Sequence, residues 1–211
     1  MEYKRLGSSG MKVSEVCLGT MTFGREADEK TSFGIMDFFV EQGGNFFDTA
    51  NAYSAGASET VVGKWLKDRR SRDASVVATK VYGGMGPGPN DQGLSRRHIV
   101  AAVEDSLRRL QTDYIDLYQI HRWDPNSSPE ETLDAMSGLI DQGKVRYIGC
   151  SNLTGWQLAQ YLYLADLHGL SRFVSIQPVF NALNRGIELE VLPLCEDQGV
   201  GVISYNPLAA G

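Results

Sequence analysis

Asp48, Tyr53, Lys80 and His121 are the side chains of this sequence best suited to acid–base chemistry. Together they offer a carboxylate, a phenol, an ammonium and an imidazole. A tyrosine ordinarily titrates near pH ~10. A lysine cation beside the phenol favours the phenolate and lowers that value, while Asp48 would hold and neutralise Lys80. His121 could hydrogen-bond the same oxygen or orient a carbonyl group. Singly, each has an ordinary reading. Asp48 caps a loop, Tyr53 lies on a rim, Lys80 is a solvated charge, and His121 is a structural histidine. Their placement makes them a set. The short apolar runs NFFD, SVVATK and YIDLYQIH end in Asp48, Lys80 and His121, and Tyr53 follows the first of them.

These runs belong to an alternation that fills the chain. EVCLG (15–19) precedes the amphipathic stretch 28–43, NFFD (45–48) precedes 58–68, and SVVATK (75–80) precedes 95–110. YIDLYQIH (114–121) precedes 128–143, KVRYIGCS (144–151) precedes 154–169, FVSIQP (173–178) precedes 187–199, and VGVISYNPL (200–208) comes last. Ser95, Ser128 and Thr154 stand at helix N-cap positions. Gly43, Gly143, Gly169 and Gly199 stand just past helix ends, where a left-handed residue is wanted. Ile99, Val100, Val103, Leu107 and Leu110 recur at threes and fours, marking one buried helix face. The strands lack in/out alternation, as expected of a parallel sheet covered on both faces.

Strands alternating with helices give an α/β class, and seven such units without a sheet-reversal signal favour a TIM (β/α)8 barrel. A hairpin, YKRL turning through GSSG into MKVSE, would precede the first barrel strand. Full barrels run to ~250 residues. The expectation is therefore one domain over residues 1–211, a barrel lacking its C-terminal end, at least one strand and two helices. In such barrels the active site gathers at the C-terminal ends of the strands, where the four residues converge.

Composition removes other classes. Lys plus Arg number 20 against 26 Asp plus Glu, a net charge of −6 that disfavours a nucleic-acid surface. Cys17, Cys150 and Cys195 are scattered and form no CxxC, which argues against a disulfide framework or a thiolate zinc site and for small buried apolar roles. No apolar stretch reaches the length of a signal or membrane segment, so a cytoplasmic protein without a metal or a membrane partner is expected. Trp65 and Trp156 fall on predicted helices as packing residues.

The segments DTANAYSAGASE, ATK, DYIDLYQIHRWDP, GKVRYIGCSN, SIQPVFNALNR and ISYNPLAAG resemble the aldo-keto reductase superfamily along the whole chain. FNALNR and HRWDP are more similar to the branch of bacterial reductases and potassium-channel β subunits than to aldose reductases. The resemblance implies Tyr53 as proton donor, with Asp48, Lys80 and His121 completing a catalytic tetrad. It also implies a nicotinamide cofactor lying extended across the barrel mouth. Ser151, Asn152 and Gln177 resemble the clamp on its carboxamide, which offers both donor and acceptor to side-chain amides and hydroxyls. Tyr205 resembles the aromatic that stacks on the nicotinamide. Gly19, Thr20 and Met21 resemble the segment touching the ribose, and Asn206, Pro207 and Leu208 begin a loop covering the pyrophosphate.

NADPH is the family-level expectation, with NADH left open, because the residues that grip the adenosine phosphate lie beyond the seventh strand. The glycine-dense loop 82–93 holds Pro87 and Pro89 and matches neither a dinucleotide fingerprint nor a phosphate-binding loop. It reads as a mobile rim. Met21, Phe23, Tyr82 and Trp123 would line an apolar substrate rim for an aldehyde, a ketone or a keto-sugar, and a homo-oligomer is compatible with the sequence. The leading expectation is reduction of a small carbonyl compound to an alcohol. A redox-sensing regulatory subunit and a Schiff-base enzyme using Lys80 are the alternatives.

Overall fold

The computed structural model describes residues 1–209, so the last two residues of the ISYNPLAAG segment lie outside it. The chain opens with the expected hairpin: β1 (Tyr3–Arg5) pairs antiparallel with β2 (Lys12–Ser14). Seven parallel strands follow, lying side by side in chain order. They are β3 (Leu18–Gly19), β4 (Phe46–Asp48), β5 (Val76–Val81), β6 (Ile115–Ile120), β7 (Val145–Ser151), β8 (Phe173–Gln177) and β9 (Gly201–Val202). Helices α1 (Glu29–Glu41), α2 (Ala57–Arg69), α3 (Arg96–Leu110), α4 (Pro129–Asp141), α5 (Gly155–His168) and α6 (Val191–Gln198) fill the connections. The result is a curled parallel half-barrel, an α/β fold of TIM-barrel type. Among the described residues β3 and β9 are its edges.

Local chemistry starts and stops the helices as the sequence suggests. The Ser95 and Ser128 hydroxyls accept from the backbone N–H groups of His98 and Glu131. The Gln157 side chain accepts from the Thr154 N–H at 2.9 Å, one arm of a capping box. Gly43, Gly143, Gly169 and Gly199 all have positive φ. Three expectations need correction. The segment 187–199 is a short 3-10 turn at Gly186–Glu188 and then α6, which begins only at Val191. The last strand is two residues long and returns to the sheet through a single bridge between Val179 and Tyr205. Val100 is 38% exposed and leaves the α3 face that buries Ile99, Val103, Leu107 and Leu110; it lies one residue beyond the arc turned to the sheet.

Two apolar layers place the site. The larger lies between sheet and helices and includes Phe47, Trp65, Ile99, Tyr118, Met136 and Leu162. The smaller lies on the concave face near the strand N-termini, where Phe46, Ala78 and Leu117 meet Leu6 and Val13 of the hairpin. Gly7 closes that end. A Cβ there would sit 2.3 Å from the Val174 carbonyl oxygen, so only glycine fits at its φ of 56°. Because strand residues two apart share a face, the residues above this layer also point inward: Asp48 above Phe46, Lys80 above Ala78, Gln119 above Leu117. The inner face thus changes from apolar to polar along each strand.

Candidate active site

Asp48 closes β4, Lys80 is the next-to-last residue of β5, and His121 follows β6. The Lys80 ammonium is fully buried and donates to Asp48 Oδ1 at 2.5 Å, to the Thr49 carbonyl at 2.8 Å and to Tyr53 Oη at 3.1 Å. The Tyr53 and His121 rings meet edge to face, 5.7 Å apart. The four residues singled out in the sequence do come together.

Tyr53 sits on a strained turn. Ser54, Ala55 and Gly56 after it all have positive φ, at 50°, 52° and 90°. A left-handed non-glycine residue costs about 1–2 kcal/mol, so surrounding contacts must hold the turn. Glu59, at the start of α2 and fully buried, supplies them with Arg109 of α3. Its carboxylate accepts from Arg109 Nε at 2.6 Å and from the Thr79 hydroxyl at 2.5 Å, one residue from Lys80. The Arg109 side chain lies against Gly56, where a Cβ would come within 2.8 Å of Arg109 Cδ.

Electrostatics refines the expectation for the phenol. Burial raises the Tyr53 pKa, and Lys80 lowers it without cancelling that rise. The sequence-based expectation of a lowered value is corrected: Lys80 acts in the expected direction, but desolvation is larger. Burial by itself would depress the Lys80 pKa, yet the Asp48 carboxylate beside it leaves the net shift upward, and the ammonium stays charged. Burial, with the positive charges of Lys80 and Arg122, lowers the His121 pKa to about 3, so its imidazole is neutral.

Two further side chains bind Asp48. Gln119 of β6 and Gln177 of β8 both donate to Asp48 Oδ2, at 3.1 and 3.0 Å. Gln119 was not singled out from the sequence, although its position two residues before His121 gives it the same inward parity. Its Oε1 is buried without a partner among the described residues. Glu59 and Arg109 were also missed, since a charge in an amphipathic helix reads as a solvated face.

The remaining candidates form a second group on β7–β9. The Ser151 hydroxyl donates to the Gln177 carbonyl at 2.7 Å. Asn152 Nδ2 donates to the His121 carbonyl and to Ser151 Oγ, and its Oδ1 accepts from Tyr205 Oη at 2.9 Å. The partly exposed Tyr205 ring beside these amides and hydroxyls is a donor and acceptor set that fits a planar carboxamide. Gly19 is exposed at the end of β3. The Thr20 side chain is buried, bonded to the Asp48 carbonyl and to Ser58, and its backbone is also engaged, the N–H donating to the Asp48 carbonyl and the carbonyl accepting from the Phe23 N–H and the Ser58 hydroxyl. Met21 and Leu208 are exposed, and Asn206 takes a left-handed conformation ahead of Pro207.

On the substrate side, Tyr82 and Trp123 are half-buried at the strand ends. Phe23 does not join them. It is 2% exposed and packs in the outer apolar layer, which corrects the expectation of a rim residue. Trp156 is likewise not a buried packing residue, being 59% exposed with its ring against the edge of Trp123. The glycine-rich loop folds on itself around Asp91, whose carboxylate accepts from the Gly88 N–H at 2.8 Å. Among the described residues no helix is long and apolar enough to cross a membrane.

Residues 15–211 match the model of the aldo/keto reductase family. The whole chain is 44% identical to "Uncharacterized oxidoreductase YrpG" of Bacillus subtilis, covering 68% of that protein. It is 39% identical to "Norsolorinic acid reductase B" of Dothistroma septosporum, covering 57% of it. It is 38% identical to "Protein tas" of Escherichia coli, covering 69% of that chain. The chain thus spans between 57% and 69% of the lengths of these three relatives.

Proposed function

The chain belongs to the aldo/keto reductase family, and from that premise we propose that it reduces an aldehyde or ketone to the alcohol with NADPH, Tyr53 giving the proton. The observation that carries the reading is the buried chain of Asp48, Lys80 and Tyr53, joined at 2.5 and 3.1 Å. A nicotinamide held at this mouth would supply the hydride. Tyr53 places its hydroxyl proton toward the mouth, and Lys80 stabilises the phenolate left after that proton is given to the carbonyl oxygen. Asp48 holds Lys80 charged and in place. His121, neutral, can donate a hydrogen bond to the same oxygen without competing as an acid. Ser151, Asn152 and Gln177 would hold the carboxamide and Tyr205 would face the ring. Gly19, Thr20 and Met21 would lie along the ribose, and Asn206, Pro207 and Leu208 along the pyrophosphate.

A Schiff-base role for Lys80 is disfavoured by the same geometry. A nucleophilic amine must be neutral, and Asp48 keeps this one protonated. Tyr82 and Trp123 at the mouth suit a planar substrate. We also assign residues 1–211 to one barrel domain and the protein to the cytoplasm. The test is a panel of aldehydes, ketones and keto-sugars offered to the full chain with NADPH or NADH, following loss of the reduced nicotinamide by absorbance. Turnover with NADPH is expected. No turnover of any carbonyl compound with either cofactor would overturn the assignment.

A further inference from the structure

The mouth of the site carries a cation that the reduction does not use. Arg122 follows His121 directly and is exposed, and its guanidinium carbon lies 5.2 Å from the centre of the Tyr82 ring. Several arginines satisfy their charge within the fold, among them Arg72 with Asp116, Arg96 with Asp134 and Arg109 with Glu59, whereas Arg5, Arg70, Arg97 and Arg146, away from the tetrad, make no ion pair among the described residues. Arg122 has no ion pair among the described residues. The carboxylate nearest to it in the sequence, Asp124, is committed elsewhere, accepting from the backbone N–H groups of Leu94 and Asn126 and from the Ser127 hydroxyl. Lys80 and Arg122 both place positive charge near His121. Beside His121 the mouth thus holds the Tyr82 ring and a guanidinium with no ion pair among the described residues.

From this arrangement, and resting on the carbonyl-reductase reading above, we infer that Arg122 selects substrates in which the carbonyl sits on a planar ring that also bears an anionic group. The guanidinium presents a rigid fork of N–H donors that matches a carboxylate in two-point fashion. Tyr82 presents its ring to a flat substrate while fixing the guanidinium from the other side. His121 is neutral, and the one carboxylate of the buried site, Asp48, is already paired with Lys80. The same chemistry could serve a phosphate of the cofactor, and the measurement must separate the two sources.

The probes are 4-carboxybenzaldehyde and its methyl ester, titrated calorimetrically into the full chain with oxidised NADP present. Turnover of each with NADPH is measured in parallel. Hydrogen bonds to a charged partner make about a tenfold preference reasonable, so the acid should bind about tenfold tighter than the ester. Arg122→Gln should bring the ratio toward one, Arg122→Lys should keep part of it, and added salt should narrow it. Equal affinity of acid and ester, or a preference that survives Arg122→Gln, overturns the inference. Weaker cofactor binding in Arg122→Gln with an unchanged acid-to-ester ratio assigns the anion to the cofactor and also overturns it. Selective binding without turnover of either probe would uphold the role of Arg122, and the reductase reading would then be decided by the panel of carbonyl compounds with both cofactors. Turnover of both probes without selectivity would overturn the role of Arg122 and uphold the reductase reading.

Discussion

The two sides of the mouth differ in their access to water. On β4–β6, Asp48, Lys80 and Gln119 are 7% exposed or less, and Tyr53 closes over them. On β7–β9, Ser151 and Gln177 are as deeply buried, but Asn152 and Tyr205 reach the surface and Leu208 is 78% exposed. The physical consequence is large. A charge in a low-dielectric setting acts on its neighbours far more strongly than one in water, so Lys80 can stabilise a phenolate three ångströms away. The wet side has no such leverage and offers hydrogen bonds and a ring face. That contrast suits proton transfer on one side and reversible binding on the other.

Replacing Tyr53 by Phe tests the dry side most severely. The ring remains and the proton is lost, so turnover should fall by about 10²–10⁴-fold while nicotinamide binding, followed by fluorescence titration, persists. Near-normal reduction by this variant would break the contrast.

Lys80→Met should act next most strongly. It leaves Asp48 buried without its cation, and breaking a buried ion pair costs about 3–5 kcal/mol, measured by urea denaturation. Any activity that survives should show its acid titrating at higher pH, because the cation that favours the phenolate is gone. An unmoved pH profile would uncouple Lys80 from Tyr53.

The third effect is on stability in acid. The folded protein holds the His121 pKa near 3, below the ordinary value of 6.5, so between those values the unfolded chain binds the proton and the folded one does not. Stability therefore falls as the pH drops from 6.5 toward 3 and is intact above that window. His121→Gln should make the decline shallower in thermal melts taken across it. A decline of equal steepness would place the acid sensitivity elsewhere.

The smallest effect belongs to the wet side. Tyr205→Phe removes one hydroxyl from Asn152 and keeps the ring. A single neutral hydrogen bond is worth about 1 kcal/mol, so cofactor affinity should weaken about fivefold, with turnover at saturation nearly unchanged. A hundredfold loss of turnover would show that this side takes part in the chemistry.

Much of this contrast was legible before any coordinates. Asp48, Lys80 and His121 stand at or next to the ends of apolar runs, and the alternation of short and long segments located those ends within a residue. The helix caps at Ser95, Ser128 and Thr154 were equally plain, because capping depends on residues close in sequence. Gln119, Glu59 and Arg109 were not legible as site residues. Glu59 and Arg109 are fifty residues apart and meet only because α2 packs on α3. Phe23 and Trp156 misled in opposite directions, since an aromatic side chain carries no local sign of which layer will cover it. The last strand was overdrawn because VGVISYNPL is largely apolar, and apolarity alone does not say how many backbone groups find a neighbour.

The inventory of reactive groups, their order along the chain and their placement at the ends of parallel strands are all written in the sequence. Periodicity, caps and motif spelling all act over a few residues, and the family likeness is written in them. The state of those groups is set by packing. Whether Lys80 is charged, whether the Tyr53 pKa moves up or down and whether His121 is neutral depend on desolvation and on charges brought in from other strands. Those energies fall off with distance in space rather than along the chain, and they came into being only when β4, β5 and β6 were laid side by side.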